Sequence, residues 1–486
     1  MLSRIFVRFL LSSNYIPQQV FNYHTMEGPL KPPVRVYEMQ KLDKTQFEKV
    51  IQVPVLYLGT AKISTILSLV KNLLLKIEKF KSICHTDSGN VQLYLDPNLI
   101  SKWTDFSQET QEGLKKLNVS DANLKTEDFI LGYDNFNAES ILRAVLPQEQ
   151  DGFSSYTVIG RVVHVNLREH LLPYKHLIGE VLYDKLKGCE SVVNKVNIID
   201  NTYRSFQMEV LQGSNDLRTM VKENNCRFEF DFSKVYWNSR LSTEHERIVK
   251  NLKPENVLFD IFAGVGPFSI PAAKKKSRVF ANDLNPESYK WLMHNKKLNK
   301  VDDDYFKGFN LDGREFILKV VKEQLLKFLG NKAIFITMNL PALSVEFLDT
   351  FIGLLSDSKA PEVFDPVTVY VYCFAKGENH EEIARKLIQT HLKIPDVDIN
   401  TKITDIFKVR TVSNFKEMLR VTLSLDRDVL VGGWSDNKRK CGSQVGNNKR
   451  LCIGDGENGQ KQEENQQCFQ GSRSEEFKNE SQSQSC

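Results

Sequence analysis

A stretch at residues 260–286, DIFAGVGPFSIPAAKKKSRVFANDLNP, carries the residue types of a nucleoside-binding site. An apolar run ends at Asp260, a turn with Gly264 and Gly266 follows, and a second apolar run ends at Asp283. Glycines permit a sharp turn and the close approach of a ligand to the backbone. An acid at the end of the second strand can accept hydrogen bonds from both ribose hydroxyls. Taken alone, the glycines also fit a structural turn and Asp283 a turn or cap residue.

A third acid, Asp312 in NLDGREF, is expected to end a further strand, where its carboxylate can accept from an adenine amino group. No Lys-Ser/Thr pair of the kind that cradles phosphates follows the glycine turn, and Ser269 leaves the dinucleotide fingerprint incomplete. Acids without a phosphate-binding motif favour a cationic ligand that lacks phosphate. S-adenosylmethionine therefore fits better than NAD or ATP.

These acids must be positioned by a regular sheet, and the sequence from Trp237 to about Asp426 alternates between strand-like and helix-like patterns. Such alternation predicts a parallel sheet covered by helices. The last two strand candidates have no helix between them, which predicts an antiparallel pair at the edge. Strands are predicted at 256–262, 278–283, 333–338, 367–374, 404–411 and 418–425, and a regular helix is predicted to start near Pro271.

The rest of the chain divides by composition. Residues 1–30 are predicted to be a mitochondrial presequence, because the first 26 contain no acid but hold Arg4, Arg8 and three serines with apolar residues at near-helical spacing. The block 31–150 is expected to be a separate N-terminal domain with a helix over TILSLVKNLLLKIEKF, and 151–235 a small α+β linking domain. The linking domain is predicted to hold a strand over YTVIGRVVHVNL and a helix over YKHLIGEVLYDKLKG. The polar tail, 431–486, has few large apolar groups and is expected to be disordered.

The overall composition excludes several classes of protein. The chain has 486 residues, 41% of them hydrophobic, and a net charge of only +4, so any nucleic-acid contact must use a local basic face. Its eight cysteines include no C-x-x-C pair, which favours free thiols in a reducing compartment and argues against zinc or a disulfide framework. No apolar run is long enough to span a bilayer.

Two further segments, FEFDFSKVYWNSRLSTEHERI (228–248) and ITMNLPALSVEFL (336–348), specify a family together with DIFAGVGPFSIPAA, NDLNP and NLDGREF. In order and spacing, over roughly residues 150–425, the set resembles the eukaryotic and archaeal tRNA (guanine-37 N1)-methyltransferase family. The resemblance implies a class I S-adenosylmethionine-dependent methyltransferase (Rossmann-like) α/β domain at 236–430 with smaller N-terminal α+β domains. It also implies S-adenosylmethionine as the methyl donor, tRNA with G at position 37 as the partner, and a tRNA-recognition role for 31–150.

Methylation of guanine N1 requires removal of the N1 proton, and a positioned general base contributes roughly 10²–10⁴ in rate. The resemblance assigns this role to Glu244, with Glu246 as the weaker candidate. On the residues alone, Glu244 fits an exposed first-turn acid, with Thr243 and Glu246 as a capping box.

Charge that develops on O6 needs a cationic donor. The resemblance implies Arg204, with Arg218 and Arg240 as alternatives. Asn339, in MNLP, is expected to bridge the target base and the cofactor, and Pro341 to shape that loop.

The cofactor contacts expected from the motifs and the resemblance are His245, Asp260, Phe262, Gly264, Gly266, Asp283, Leu284, Asp312, Gly313, Asn339 and Pro341. On the residues alone, His245 also fits an exposed helix histidine. Candidate phosphate contacts, each of which also fits solvated surface, are Lys274, Lys275, Lys276, Arg278 and Arg410.

We expect a monomer that requires no metal and does not bind membranes, present in the mitochondrial matrix, the cytoplasm and the nucleus. Two rivals remain open: an aminocarboxypropyl transferase of wybutosine synthesis, and a tRNA-binding protein without catalytic activity.

Overall fold

The computed structural model describes residues 28–59, 63–86, 89–147, 153, 155–199, 206–393 and 396–432, all within one compact unit. Almost all of the expected presequence, the polar tail beyond Gly432 and Arg204 lie outside these residues.

The N-terminal block is built on an antiparallel sheet in the order β2-β3-β1-β4. Helix α3 is amphipathic and buries Ile141, Leu142 and Val145, whereas α2 buries only Leu114. The elements are β1 (Lys49–Leu58), α1 (Ile63–Val70), β2 (Ile83–His85), β3 (Val91–Tyr94), α2 (Gln108–Lys116), β4 (Leu124–Leu131) and α3 (Ala138–Val145).

The middle block has a sheet in the order β5-β6-β7-β8, in which β6 and β7 run parallel and the other pairs antiparallel. A separate hairpin, β9–β10, leads from it into the third part of the chain. The elements are β5 (Tyr156–Ile159), β6 (Val162–Val165), α4 (Lys175–Lys185), β7 (Ser191–Ile199), β8 (Phe206–Gly213), β9 (Arg218–Glu223) and β10 (Cys226–Asp231).

The third part is a seven-stranded sheet in the order β13-β12-β11-β14-β15-β17-β16. The first five strands are parallel, and β17 and β16 are antiparallel, as the sequence predicts for the edge pair. Its strands are β11 (Val257–Asp260), β12 (Arg278–Asn282), β13 (Phe306–Phe309), β14 (Ile334–Met338), β15 (Val367–Lys376), β16 (Ile403–Ser413) and β17 (Lys416–Leu425).

Helices cover both faces of this sheet, and all four residues of β11 are buried between them. On one face lie α5 (Ser242–Asn251), α6 (Ser269–Lys274) and α7 (Pro286–Leu298), whose apolar residues join Phe228, Leu258 and Tyr372. A second core fills the other face, beneath α8 (Gly313–Phe316), α9 (Lys322–Phe328), α10 (His380–Leu392), α11 (Asp396–Lys402) and α12 (Arg427–Val431). This is the Rossmann-like arrangement expected from the sequence.

The middle block shares a hydrophobic core with each of its neighbours. Val163 and Ile178 belong to a cluster that also holds Val145 of the N-terminal block. Val162 and Val193 belong to the cluster that extends to the seven-stranded sheet. Because side chains alternate along a strand, adjacent valines of β6 point into different cores.

Two local predictions are wrong in extent. The helix expected over TILSLVKNLLLKIEKF ends at Val70, because the backbone beyond it pairs with the end of β3: the N–H of Leu75 donates to the carbonyl of Tyr94 at 2.9 Å. The single strand expected over YTVIGRVVHVNL is a hairpin that turns at Gly160, whose φ of +59° is left-handed. The helix expected over YKHLIGEVLYDKLKG is present as α4.

Candidate active site

The turn after β11 brings the two glycines to the carboxyl edge of the parallel strands, and both have left-handed φ, +56° at Gly264 and +98° at Gly266. A Cβ on Gly266 would lie 2.7 Å from Ile270 and 2.8 Å from Leu292, so this glycine is packed against the helices. A Cβ on Gly264 would meet nothing within 4 Å, so this glycine borders open space.

Asp260 is fully buried at the end of β11 and both of its carboxylate oxygens are occupied. The hydroxyl of Thr337 donates to Oδ1 at 2.8 Å, and the hydroxyl of Ser269, at the start of α6, donates to Oδ2. Burial raises the pKa of Asp260 to about 6. Through these two hydrogen bonds Asp260 connects the start of α6, which follows the glycine turn, to β14.

Asp283 follows the last residue of β12 and its side chain is partly exposed at the same edge. The backbone N–H of Gly264 donates to Oδ2 at 2.7 Å, and that of Asn285 donates to Oδ1 at 3.0 Å. The surrounding protein withdraws the carboxyl from water and raises its pKa to about 6. Leu284 beside it is 43% exposed and offers an apolar surface to a ligand.

Asp312 is exposed, but β13 ends at Phe309, so the prediction that this acid ends a strand is wrong. Its carboxylate caps α8, where Oδ1 accepts the N–H of Arg314 at 2.8 Å. Gly313 is buried, and a Cβ there would lie 2.9 Å from Phe347 and 3.0 Å from Phe262. The rings of Phe262 and Phe347 meet edge to face at 5.0 Å, which forms one wall beside the acids.

The loop of Asn339 and Pro341 follows β14 and packs against β15. The N–H of Phe374 donates to the carbonyl of Pro341 at 3.1 Å, and the hydroxyl of Ser344 donates to the carbonyl of Tyr372. Asn339 is partly exposed, and among the described residues its amide has no side-chain hydrogen bond. The amide is therefore available to a ligand at the cofactor edge.

Glu244 lies in the first turn of α5 but is only 3% exposed, so it is not the surface acid that its position suggests. Its Oε1 accepts the hydroxyl of Tyr372 at 3.0 Å and Nη1 of Arg420 at 2.9 Å, and its Oε2 accepts Nη1 of Arg247. The side chain of Arg420 is only 7% exposed, whereas that of Arg247 is 38% exposed. The buried side chains of Tyr372 and Arg420 therefore bind Oε1, whereas Oε2 binds the more exposed side chain of Arg247.

The expected capping box of Thr243 and Glu246 is wrong. A 3-10 turn, Ser239–Leu241, precedes α5, and Asn238 caps it by accepting the N–H of Arg240. Glu246 is at the surface, 2.9 Å from Nζ of Lys250.

His245 is buried rather than exposed. Its Nδ1 lies 2.6 Å from Oε1 of Glu223 in β9, and its ring meets the edge of Phe268 at 4.7 Å between centroids. Phe268 directly precedes α6, so His245 lies behind the glycine turn.

The arginine expected at O6, Arg204, lies outside the described residues. Of its alternatives, Arg218 is exposed in a two-point ion pair with Asp216, with Nη2 at 2.7 Å from Oδ2. Arg240 is exposed four positions before Glu244 and makes no ion pair within the described part of the chain. Arg240 is therefore the freer of the two.

Sequence reasoning missed the residues that position the predicted ones. Tyr372, Arg247 and Arg420 surround Glu244, and a charged residue inside the apolar run MLRVTLSL was the one available signal. Asn282, the last residue of β12, is 1% exposed and donates to the carbonyls of Ile261 and Leu311, which joins this strand end to the loops that follow β11 and β13. A polar residue that ends an apolar strand was the signal there.

The cations expected to contact phosphate lie in two places. Lys274 is the last residue of the short helix α6, and Lys275 and Lys276 follow it. Nζ of Lys275 donates to the carbonyl of Val249 at 2.8 Å. Arg278 lies 3.2 Å from a carboxylate oxygen of Glu255. Arg410 is partly exposed in β16.

Within the described residues no group of three or more His, Cys, Asp or Glu side chains is arranged to hold a metal ion. In that same part of the chain, every helix is too short or too polar to cross a bilayer.

The strand order, the glycine turn and the acids at the carboxyl edge define the catalytic part as a class I methyltransferase domain of Rossmann-like topology. Residues 219–361 match the TRM5/TYW2 methyltransferase domain, and residues 138–216 match the TYW2 N-terminal domain.

Curated relatives extend this similarity to most of the chain. The tRNA (guanine(37)-N(1))-methyltransferase of Drosophila melanogaster is 48% identical over 409 residues, which covers 82% of this chain and 88% of the relative. The human enzyme of the same name is 45% identical over 415 residues, 84% of this chain and 80% of the relative. The chain belongs to the tRNA (guanine(37)-N(1))-methyltransferase family.

Two solved structures share the fold at low identity. The complex of aTrm5 with tRNALeu aligns with a TM-score of 0.54 at 22% identity, over 77% of this chain and all of that chain. Wild-type Trm5b from Pyrococcus abyssi aligns with a TM-score of 0.51 at 22% identity, over 76% of this chain and 98% of that chain.

Proposed function

We propose that the protein transfers a methyl group from S-adenosylmethionine to N1 of guanosine 37 in tRNA. The observation that carries the proposal is that Tyr372 of β15 contacts both the loop of Asn339 and the side chain of Glu244. The carbonyl of Tyr372 binds the loop that holds Asn339, and its hydroxyl binds Glu244. A buried acid and an unbonded amide thus lie on neighbouring elements at the edge where the glycine turn and Asp283 can hold a nucleoside.

The residues at this edge fit S-adenosylmethionine. Gly264 borders open space, Asp283 offers a partly exposed carboxylate to the ribose, and Leu284 offers an apolar face to the adenine. The bound cofactor supplies a methyl carbon on a positively charged sulfur. No phosphate needs to be neutralised, which agrees with an edge formed by acids.

Glu244 is the proposed general base. Because its Oε1 is held by the buried Tyr372 and Arg420, we assign proton transfer to Oε2, which must exchange Arg247 for the guanine N1–H. Oε2 would take the proton of N1, and S-adenosylmethionine held at the acidic edge would supply the methyl group to the nitrogen. The amide of Asn339 would orient the base, and holding two reactants in a fixed geometry lowers the barrier further.

Arg204 or Arg240 is the proposed donor to O6, where a cation stabilises the developing negative charge. Inosine at position 37 should be accepted as well, because its N1 and O6 are the same.

The rival reaction, aminocarboxypropyl transfer in wybutosine synthesis, shares the domain description TRM5/TYW2 and the match at 138–216. The relatives that cover most of the chain at 45–48% identity are named as methyltransferases, which favours methyl transfer. A tRNA-binding protein without catalysis would not need the acids at the cofactor edge.

Mass spectrometry of an unmodified tRNA transcript with G37, incubated with the protein and labelled donor, tests the proposal. The expected result is a gain of one methyl group at G37 and none on a transcript with A37. A gain of an aminocarboxypropyl group, or no gain at all, would replace the proposal with one of its rivals.

We also propose a monomer with pools in the mitochondrial matrix, the cytoplasm and the nucleus; the acid-free, Arg-containing start of the chain supports the first of these. A fluorescent reporter fused to residues 1–30 should enter mitochondria, and a version with Arg4 and Arg8 replaced by Glu should not. Light scattering after gel filtration should give the mass of one chain.

A further inference from the structure

The ends of three strands beside the cofactor edge form a basic surface with an exposed aromatic ring. Strand β15 runs parallel to β14, so its last residue, Lys376, lies at the same edge as the Asn339 loop. The turn between β16 and β17 reaches this edge too, because the N–H of Gly377 donates to the carbonyl of Phe415 at 2.9 Å.

Two phenylalanines lie at this edge, one in the turn between β16 and β17 and one near the end of β15. Phe415, at the tip of the turn, is 69% exposed, although a ring of this size is normally buried. Phe374 is partly buried, and Nζ of Lys416 lies 4.2 Å from its ring centroid. The backbone of Phe374 binds Pro341, so the two rings lie next to the loop proposed to hold the target base.

Three cations accompany the rings. Lys376 and Lys416 are directly opposite each other in the antiparallel pair, an arrangement that destabilises a sheet unless an anion offsets it. Arg410 is opposite Met418, which packs with Tyr372, so it shares the sheet face on which Glu244 lies. Among the described residues, none of the three makes an ion pair, and the nearby Glu417 pairs instead with Lys408 and His380.

We propose that this surface, the loop platform (Phe374, Lys376, Arg410, Phe415 and Lys416), binds the unpaired nucleotides beside the target guanine. Phe415 stacks on one of these bases, and the three cations contact the phosphates on either side. The inference rests on the proposed function, because a target base can reach the pocket only if its neighbours are unstacked and held apart. Aromatic rings and a basic groove are the features that recognise single-stranded RNA.

Binding of a fluorescent anticodon stem-loop RNA with G37, followed by anisotropy, tests the platform. Phe415→Ala should raise the Kd about tenfold, and Phe415→Trp should restore binding, because stacking needs the ring and not its identity. The double variant Lys376→Glu, Lys416→Glu should weaken binding further and lower the salt dependence by roughly one unit for each phosphate that is no longer neutralised. For methyl transfer, the KM for tRNA should rise more than kcat falls.

Matched controls lie in the loop before β15, which leads to the opposite edge of the sheet. Val363 is 86% exposed and Lys359 is exposed, so Val363→Ala and Lys359→Glu should bind the RNA as the unchanged protein does. Affinity for S-adenosylmethionine, measured by calorimetry, should be the same in all variants and shows that they fold.

The two proposals fail in different ways. If the unchanged protein makes no 1-methylguanosine, the proposed function is wrong. If it does, but the platform variants bind the RNA normally, the platform is wrong and the exposed ring serves another partner, such as a protein. Equal loss of binding in the controls would also overturn the platform, because the effect would then be one of net charge.

Discussion

At the scale of single residues, the chemistry depends on how Glu244 is held. Its partners Tyr372 and Arg420 come from strands 128 and 176 positions further along the chain. The sequence motif STEHE therefore pointed to the acid, but not to the two donors that fix one of its oxygens. Asp283 was easier to foresee, because its contacts are with Gly264 and Asn285 within the motif itself.

Glu244→Gln should lower kcat by roughly 10²–10⁴, because the amide can still accept from Tyr372 and Arg420 but cannot take a proton. Single-turnover methylation of G37 transcript measures the effect, with cofactor affinity as the check on folding. Glu246→Gln, two positions on and at the surface, is the control and should react normally. A wild-type rate for Glu244→Gln would remove it from the mechanism.

Cofactor binding should weaken as the pH falls through about 6, because the raised pKa of Asp283 lets the carboxyl protonate in that range and a neutral acid accepts ribose hydroxyls less well. The loss of a hydrogen bond to a charged group corresponds to about 1.5–3 kcal/mol. Calorimetric titration with S-adenosylmethionine between about pH 5 and about pH 8 measures it.

Asp283→Asn should bind the cofactor weakly at every pH in this series. The comparison is needed because the pKa of Asp260 is also raised to about 6. If the variant keeps the same dependence on pH, the titrating group is not Asp283.

At the scale of elements, the strands were predictable and the turns less so. The six strand candidates of the catalytic part correspond to strands in the structure. Five of them are short apolar runs between turn residues, and the sixth, 404–411, is a mixed polar segment at the exposed edge of the sheet. The N-terminal helix was overestimated since Leu74 and Leu75 have helical spacing but pair with the end of β3. Periodicity in one segment does not reveal a partner strand elsewhere in the chain.

The two glycines of the cofactor turn should respond differently to replacement by alanine. Gly266→Ala should lower stability more than Gly264→Ala, because its Cβ overlaps Ile270 and Leu292 at a cost of about 1–3 kcal/mol, in addition to the left-handed backbone that both positions share. Gly264→Ala should cost only about 1–2 kcal/mol for its left-handed backbone but should reduce cofactor affinity, since its Cβ enters the open space. Thermal unfolding and calorimetry separate the two effects; equal affinities would show that no ligand approaches Gly264.

At the scale of the whole molecule, the described blocks are joined through hydrophobic cores rather than by tethers. One cluster links the N-terminal and middle blocks, and another links the middle block to the catalytic sheet. Composition suggested separate domains but could not show that both faces of the middle sheet are covered. The positions of the boundaries at 150 and 235 remain a prediction.

Thermal unfolding should therefore show one cooperative transition, and saturating S-adenosylmethionine should raise its midpoint as a whole, by an amount set by the ligand concentration over Kd. Differential scanning calorimetry measures this. Ile178→Ala, which opens a cavity in the shared core of the N-terminal and middle blocks, should lower the same midpoint. Two calorimetric peaks, of which the cofactor shifts only one, would show that the blocks unfold independently despite their shared cores.

The alternation of Val162 and Val163 also limits how such enzymes can be recombined. Consider a chimera that joins the N-terminal part of one relative to the catalytic domain of another. A crossover inside β6 would disturb packing, because alternate side chains of this strand pack in two different hydrophobic cores. A chimera should fold only if the whole middle sheet comes from one relative and the residues that pack on both of its faces are changed to match it.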